Sequence, residues 1–121
     1  MKNEKMLRNV KKFTERKAQK MQIEDKIREL RKRYEGSGEE YNFMAKNEDK
    51  EELKRIKQLM NHQHPEIAEE REKIISRYEI DRMIKAIIDE PYLYWYIKNN
   101  LHIRDIITLI DYIYYLAKGG E

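Results

Sequence analysis

Lys2, Lys5, Arg8, Lys12 and Arg16 recur every three or four residues near the start of the chain, which on a helix sets five cations down one side. Cations so spaced can follow a phosphate backbone and release its counterions. Only Phe13 is interleaved with them, and no cluster of Arg, Asn and Gln offers base-edge contacts. The run therefore also fits a solvated face balanced by acidic neighbours. His62 and His64, with Glu66 nearby, could offer two metal ligands. Two are too few for a closed tetrahedral site, and a polar turn between helices accounts for them, so no metal is expected. There is no Gly-rich phosphate loop and no nucleophile elbow. Ser37 and Ser76 are better used as helix caps, and the carboxylates lie in Glu/Lys runs. No catalytic residue, no cofactor and no enzymatic activity are expected. The remaining chemistry is aromatic. Seven of the twelve aromatic residues fall between Tyr92 and Tyr115, and Tyr and Trp supply both core and rigid amphipathic contact area. Trp95, Tyr96 and Ile107 are expected in the core, and Tyr92, Tyr94, Tyr112 and Tyr115 at a partner-binding surface.

The elements that must position these residues all read as helix, because no stretch alternates apolar and polar residues and only four Gly and two Pro interrupt the chain. The first helix is expected from about Asn3 to Tyr34. Met6, Val10 and Phe13 form one apolar step series and Ile23, Ile27, Leu30 and Tyr34 another, with a phase slip between them where Lys17 and Lys20 occupy the seam. Glu35-Gly36-Ser37-Gly38 ends that helix, and Ser37 with Glu40 reads as a capping box opening a second, acidic helix near Gly38 that carries Leu53, Ile56 and Met60. A tight loop implies a hairpin of basic and acidic helices. Asn61 to Pro65 breaks the chain, and Pro65 with Glu66 favours a new start. The next segment is read as one continuous helix to Ile88, although Ser76 with Glu79 marks where a break would fall. Pro91 opens a short helix with apolar residues all round, which predicts burial on several sides. In the last helix Arg104, Thr108, Asp111, Tyr115 and Lys118 make the one polar stripe, and Gly119-Gly120 caps it. A helix-turn-helix over residues 80 to 116 is not expected, since its recognition helix would present Asp105 and Asp111.

Composition bounds the class. With 121 residues the chain is one domain's worth. Charged residues make up 40% of it, so the core must be concentrated, and 17 of the 27 Leu, Ile, Val and Phe lie in residues 65 to 121. The expected organisation is a charged helical hairpin over 1–61 and an apolar, aromatic-rich unit over 62–121, joined as one cooperative domain. The overall charge of +3 hides +8 over residues 1–34 and −5 over residues 35–72. Cysteine is absent, which excludes disulfides, thiolate metal sites and thiol nucleophiles. The most apolar stretch, 101–117, is interrupted by Arg104, Asp105 and Asp111, so a soluble, cytoplasmic protein without membrane association is expected.

The stretch Glu90-Pro91-Tyr92-Leu93-Tyr94-Trp95-Tyr96-Ile97, continuing through Leu101, Ile103, Ile106-Ile107, Ile110 and Ile113, resembles the C-terminal signature of the YlbF/YmcA family of small helical bacterial proteins. More loosely, Glu39-Glu40-Tyr41 through Leu53-Lys54-Arg55-Ile56 is similar to an earlier helix of that family. The basic first helix has no counterpart in it. The resemblance implies an oligomeric, non-catalytic adaptor that assembles with related proteins and modulates an RNA-processing machine. The expectation is thus an all-α, oligomerising adaptor or regulatory protein with a protein partner and copies of itself. The alternative is a nucleic-acid-binding accessory protein of a phage or mobile element that uses the basic helix.

Overall fold

Val10 and Ile23 would stand about 140° apart around a straight helix, so one uninterrupted rod could not turn both apolar stripes onto one core. The chain resolves this by breaking. In the computed structural model, which describes residues 2–38, 41–42, 44, 50–67 and 76–119, α1 spans Lys2–Thr14 and α2 spans Lys17–Arg31. The expected single helix from Asn3 to Tyr34 is therefore corrected at the position of the phase slip. Two backbone bonds tighten the end of α1, Glu15 N–H to Lys12 O at 3.3 Å and Arg16 N–H to Phe13 O at 3.2 Å, and Arg16 is extended at φ −73° and ψ 135°. Thr14 anchors the joint. Its fully buried hydroxyl lies 2.7 Å from Lys11 O and 3.0 Å from Ile87 O, the latter a carbonyl at the far end of another helix. After the break Ile23, Ile27 and Leu30 are all fully buried.

A turn of 3-10 helix over Lys32–Tyr34 ends α2, and Gly36 and Gly38, both at φ +78°, turn the chain away, a conformation that residues with a Cβ rarely adopt. The expected start of a second helix near Gly38 is corrected here. Ser37 donates its hydroxyl to Tyr34 O at 2.6 Å, closing the end behind it, and Gly38, Tyr41, Asn42 and Met44 are not helical. Glu40 and the Asn47-Glu48-Asp49 break lie outside the described residues. The second long helix, α3, covers Lys50–Gln63 and buries Leu53, Ile56 and Met60 as their spacing requires.

Pro65–Ile67 form a turn, and the remainder of that segment to residue 75 lies outside the described residues. The structure also corrects the continuous third helix: α4 is Arg77–Ile87, with Ser76 extended at φ −105° and ψ 169° and its hydroxyl accepting from Glu79 N–H at 3.3 Å. The swing of the apolar face decides this. Tyr78 is exposed, whereas Ile80, Met83, Ile84 and Ile87 are buried on a face almost opposite. Helix α5, Pro91–Asn100, opens with Pro91 in its first turn and the Glu90 carboxylate accepting from Leu93 N–H at 2.7 Å. A 3-10 turn over Ile103–Asp105 leads into α6, Ile106–Ala117.

Among the described residues 79% are helical and none is in a strand. The protein is all-α. Helix α6 is the central element, burying Ile106, Ile107, Leu109, Ile110, Ile113 and Tyr114, and it takes α1, α2 and α3 against it, while α1 also packs on α4 and α2 on α5. The N-terminal helices thus dock onto the C-terminal ones, not chiefly onto α3, because most of the apolar surface available to cover them belongs to α4, α5 and α6. The polar stripe of Arg104, Thr108, Asp111, Tyr115 and Lys118 is exposed throughout, as its spacing predicts. No helix of the described residues is long and apolar enough to cross a membrane.

Candidate partner-binding face

The Tyr92–Ile97 stretch of α5 has no polar side, so its sequence does not say which face turns inward. Packing against α2 decides it. Leu93 and Ile97, one turn apart, are fully buried, and Trp95, two residues from each, projects about 200° away from them. Trp95 is 58% exposed and Tyr92 59% exposed. Trp95 is therefore corrected from core to surface. Tyr96, also expected in the core, is half-buried, and Ile107 is buried as expected.

Three side-chain links hold α5 to α2 in parallel register. Lys20 Nζ lies 3.8 Å from Glu90 Oε1, Arg28 Nη1 donates to the Tyr96 hydroxyl at 3.3 Å, and Arg31 Nη1 donates to Asn100 Oδ1. Tyr92 and Tyr96 have ring centroids 6.3 Å apart, and the Lys98 ammonium sits 5.5 Å from the Trp95 ring. Asn99 donates to Trp95 O at 2.9 Å. Met21, one residue beyond Lys20 and exposed, stands at the Tyr92 end of the helix pair. The result is an aromatic surface on a rigid helix, fringed by Arg28 and Lys98.

The other tyrosines singled out by the sequence are placed differently. Tyr94 is half-buried and donates its hydroxyl to Asp81 Oδ1 on α4, where Lys85 also reaches Asp81 Oδ2 at 3.2 Å. Desolvation, reinforced by that hydrogen bond, pushes the Tyr94 hydroxyl up to about 12. Tyr112 is half-buried on α6 with Lys26 Nζ 5.3 Å from its ring centroid, and Tyr115 is exposed on the polar stripe of the same helix. Of the four, Tyr92 and Tyr94 lie on α5, and Tyr92 alone shares the exposed side of that helix with Trp95.

The basic run is interrupted by the same break that divides the first helix. Lys5, Arg8 and Lys12 are exposed on α1, Arg16 is exposed in the turn at the start of α2, and the side chain of Lys2 lies outside the described residues. No carboxylate among the described residues pairs with Lys5, Arg8, Lys12 or Arg16. Arg8 and Lys11 border a groove that α1 shares with Ala86 of α4, and Ala86 also borders a smaller hollow lined by Arg82.

Two polar clusters escape sequence reasoning because their members are far apart in the chain. His62 is exposed, but His64 is buried, with Nε2 2.6 Å from Asp111 Oδ1, Nδ1 3.8 Å from Glu66 Oε1 and its ring 4.4 Å from that of Tyr114. Burial, together with the Glu66 carboxylate, raises the Tyr114 hydroxyl well above its ordinary range. No group of three or more His, Asp or Glu among the described residues is arranged to hold a metal. Asp105 is the second case. It is almost fully buried, its Oδ1 3.3 Å from Arg33 Nη1 and its Oδ2 without a hydrogen-bond partner among the described residues. Beside it the His102 and Tyr34 rings stack with centroids 4.5 Å apart.

Desolvation raises the Asp105 carboxyl above the usual carboxylate range, outweighing the attraction of Arg33 and the Tyr34 hydrogen bond. An acid held more tightly protonated in the folded than in the unfolded state contributes stability that is complete below its unfolded value and lost as the pH rises through the folded one. Asp105→Asn, which stays neutral, should therefore melt higher than the parent protein at pH 7, and the two curves should converge below about pH 4. A variant that melts lower at pH 7 and equally at low pH would show instead that the Arg33 pairing dominates.

No protein-family model matches the chain, and no curated protein and no solved structure matches it either.

Proposed function

We propose that this protein is a non-enzymatic, oligomerising helical adaptor that acts through protein–protein contacts made by the outer face of α5. The observation that carries the reading is the exposure of Tyr92 and Trp95 on adjacent turns of one helix beside Tyr96. Isolated exposed apolar residues are ordinary, but a contiguous aromatic patch rimmed by cations has the composition of an interface core and rim. Trp and Tyr are also the residues whose truncation most often removes binding energy. The resemblance of residues 90–114 to the YlbF/YmcA family supports the same class and gives an RNA-processing assembly as the machine acted upon. Oligomerisation is tested by sedimentation equilibrium, where a monomer at every micromolar concentration, with concentration-independent melting, would remove that part of the reading.

A second reading, nucleic-acid binding, has its own observation in the exposed Lys5, Arg8 and Lys12 and in the Arg8–Lys11 groove beside α4. One experiment separates the two. A photo-crosslinking residue placed at Tyr92 should give discrete, nuclease-insensitive protein adducts in the source cells, and one placed at Arg8 should give none. Nuclease-sensitive adducts at Arg8 alone would reverse the ranking. With purified protein, duplex binding should stay at the nonspecific level of about 10⁻⁴ to 10⁻⁶ M at physiological salt, without the loss of roughly one unit of log–log salt slope per Lys→Gln change that phosphate contacts produce.

A further inference from the structure

Helices α1 and α6 leave between them an open groove of about 370 Å³, walled by Met6 and Val10 on one side and by Tyr114 and Ala117 on the other. Val10 and Tyr114 are buried beneath it, and Met6 remains 42% exposed at its edge. Lys5 stands on the α1 rim and Lys118 on the α6 rim, and neither pairs with a carboxylate among the described residues. We propose that this groove docks a short amphipathic helix of a partner protein, one with an apolar ridge between acidic flanks.

Three features select that occupant. The groove is open to solvent between two helices, so it can receive a ridge of side chains, whereas small-molecule sites enclose most of their ligand. Its cations lie on opposite walls, which matches carboxylates on both flanks of a helix better than the one head group of a fatty acid. Beyond the groove, Arg8 and Lys12 extend the positive surface along α1, within a segment that carries a net +8, and such a field steers an acidic partner while repelling a basic one. The thioether of Met6 adds adaptability, since an unbranched, polarisable side chain can fit varied apolar ridges. The site lies on other helices than the α5 aromatic face and stands or falls independently of it.

The test uses the full-length protein and a fluorescent helical peptide of about 15 residues, with leucines at i, i+4 and i+7 and glutamates on both flanks. Saturable binding by fluorescence anisotropy is expected, weakened about tenfold in the Lys5→Glu/Lys118→Glu protein. A lysine-flanked version of the peptide should bind the charge-reversed protein and not the parent. Ala117→Trp, which fills the groove, should abolish binding while circular dichroism shows the helices intact. Equal binding of the glutamate- and lysine-flanked peptides to the parent protein would overturn the proposal. So would dodecanoate binding at the groove in place of the peptide, or Ala117→Trp dissociating an oligomer, which would identify a fatty acid or a second copy of the chain as the occupant.

Discussion

Ile27→Ala should lower the unfolding free energy by about 2 to 5 kcal/mol, the range for deleting a fully buried aliphatic side chain. Ile27 is completely buried in the middle of α2, between Ile23 and Leu30, on the face that meets α5 and α6. Removing its outer atoms leaves a cavity against two helices from the other half of the chain, so the loss should be felt as one cooperative transition. Met21→Ala on the exposed side of the same helix should stay within about 0.5 kcal/mol. Denaturant unfolding monitored by far-UV circular dichroism gives the free energies, and hydrogen exchange at α6 amides reports whether the core feels the change. If Ile27→Ala melts α1 and α2 alone and leaves α6 exchange untouched, residues 1–61 form a separable unit and the shared core described above is not cooperative.

Trp95→Ala should do the opposite. Its side chain is more than half exposed, so the melting temperature should scarcely move, while affinity for the protein partner should fall by about 2 kcal/mol or more, roughly thirtyfold. Trp95 is the protein's single tryptophan, which makes the physical premise directly measurable. In the free protein its emission should lie at the red end of the tryptophan range and be readily quenched by iodide, and both properties should reverse when the partner binds. A blue-shifted, unquenched Trp95 in the free protein, joined to a large loss of stability in Trp95→Ala, would remove the α5 face as an interface.

Most of the secondary structure is legible from spacing alone. Ile23, Ile27 and Leu30 on α2, Leu53, Ile56 and Met60 on α3, and the polar stripe from Arg104 to Lys118 all keep one phase, and each has the burial that the phase predicts. The errors occur where phase carries no information or where the evidence is non-local. A helix as uniformly apolar as Tyr92 to Ile97 cannot announce its inner face, so the placement of Trp95 depends on how α2 lies against it. The break after Thr14 shows in the sequence as a slip between two stripes, but no proline or glycine marks it, and one of the two carbonyls that its buried Thr14 hydroxyl meets, Ile87 O, is 73 residues away. Ser76 tells the converse lesson, since a cap signal that competes with a continuous pattern prevails when the apolar face also changes side. The candidate site was legible as a concentration of tyrosines. Its division into the exposed Tyr92, the bonded Tyr94 and the α6 pair Tyr112 and Tyr115 was not, because each depends on a partner in another helix.

The link between Thr14 and Ile87 O also bears on the order in which the molecule can take shape. Synthesis delivers residues 2–34 long before α4 exists, and that stretch alone has no turn residue at Glu15-Arg16 to stop a helix running straight through. One of the groups that tie down the bend lies later in the chain. Before Ile87 is made, the joint has only its local bonds, to Lys11 O, Lys12 O and Phe13 O. The Thr14 bond spans 73 residues of sequence, so the joint is complete only once α1 has met the end of α4.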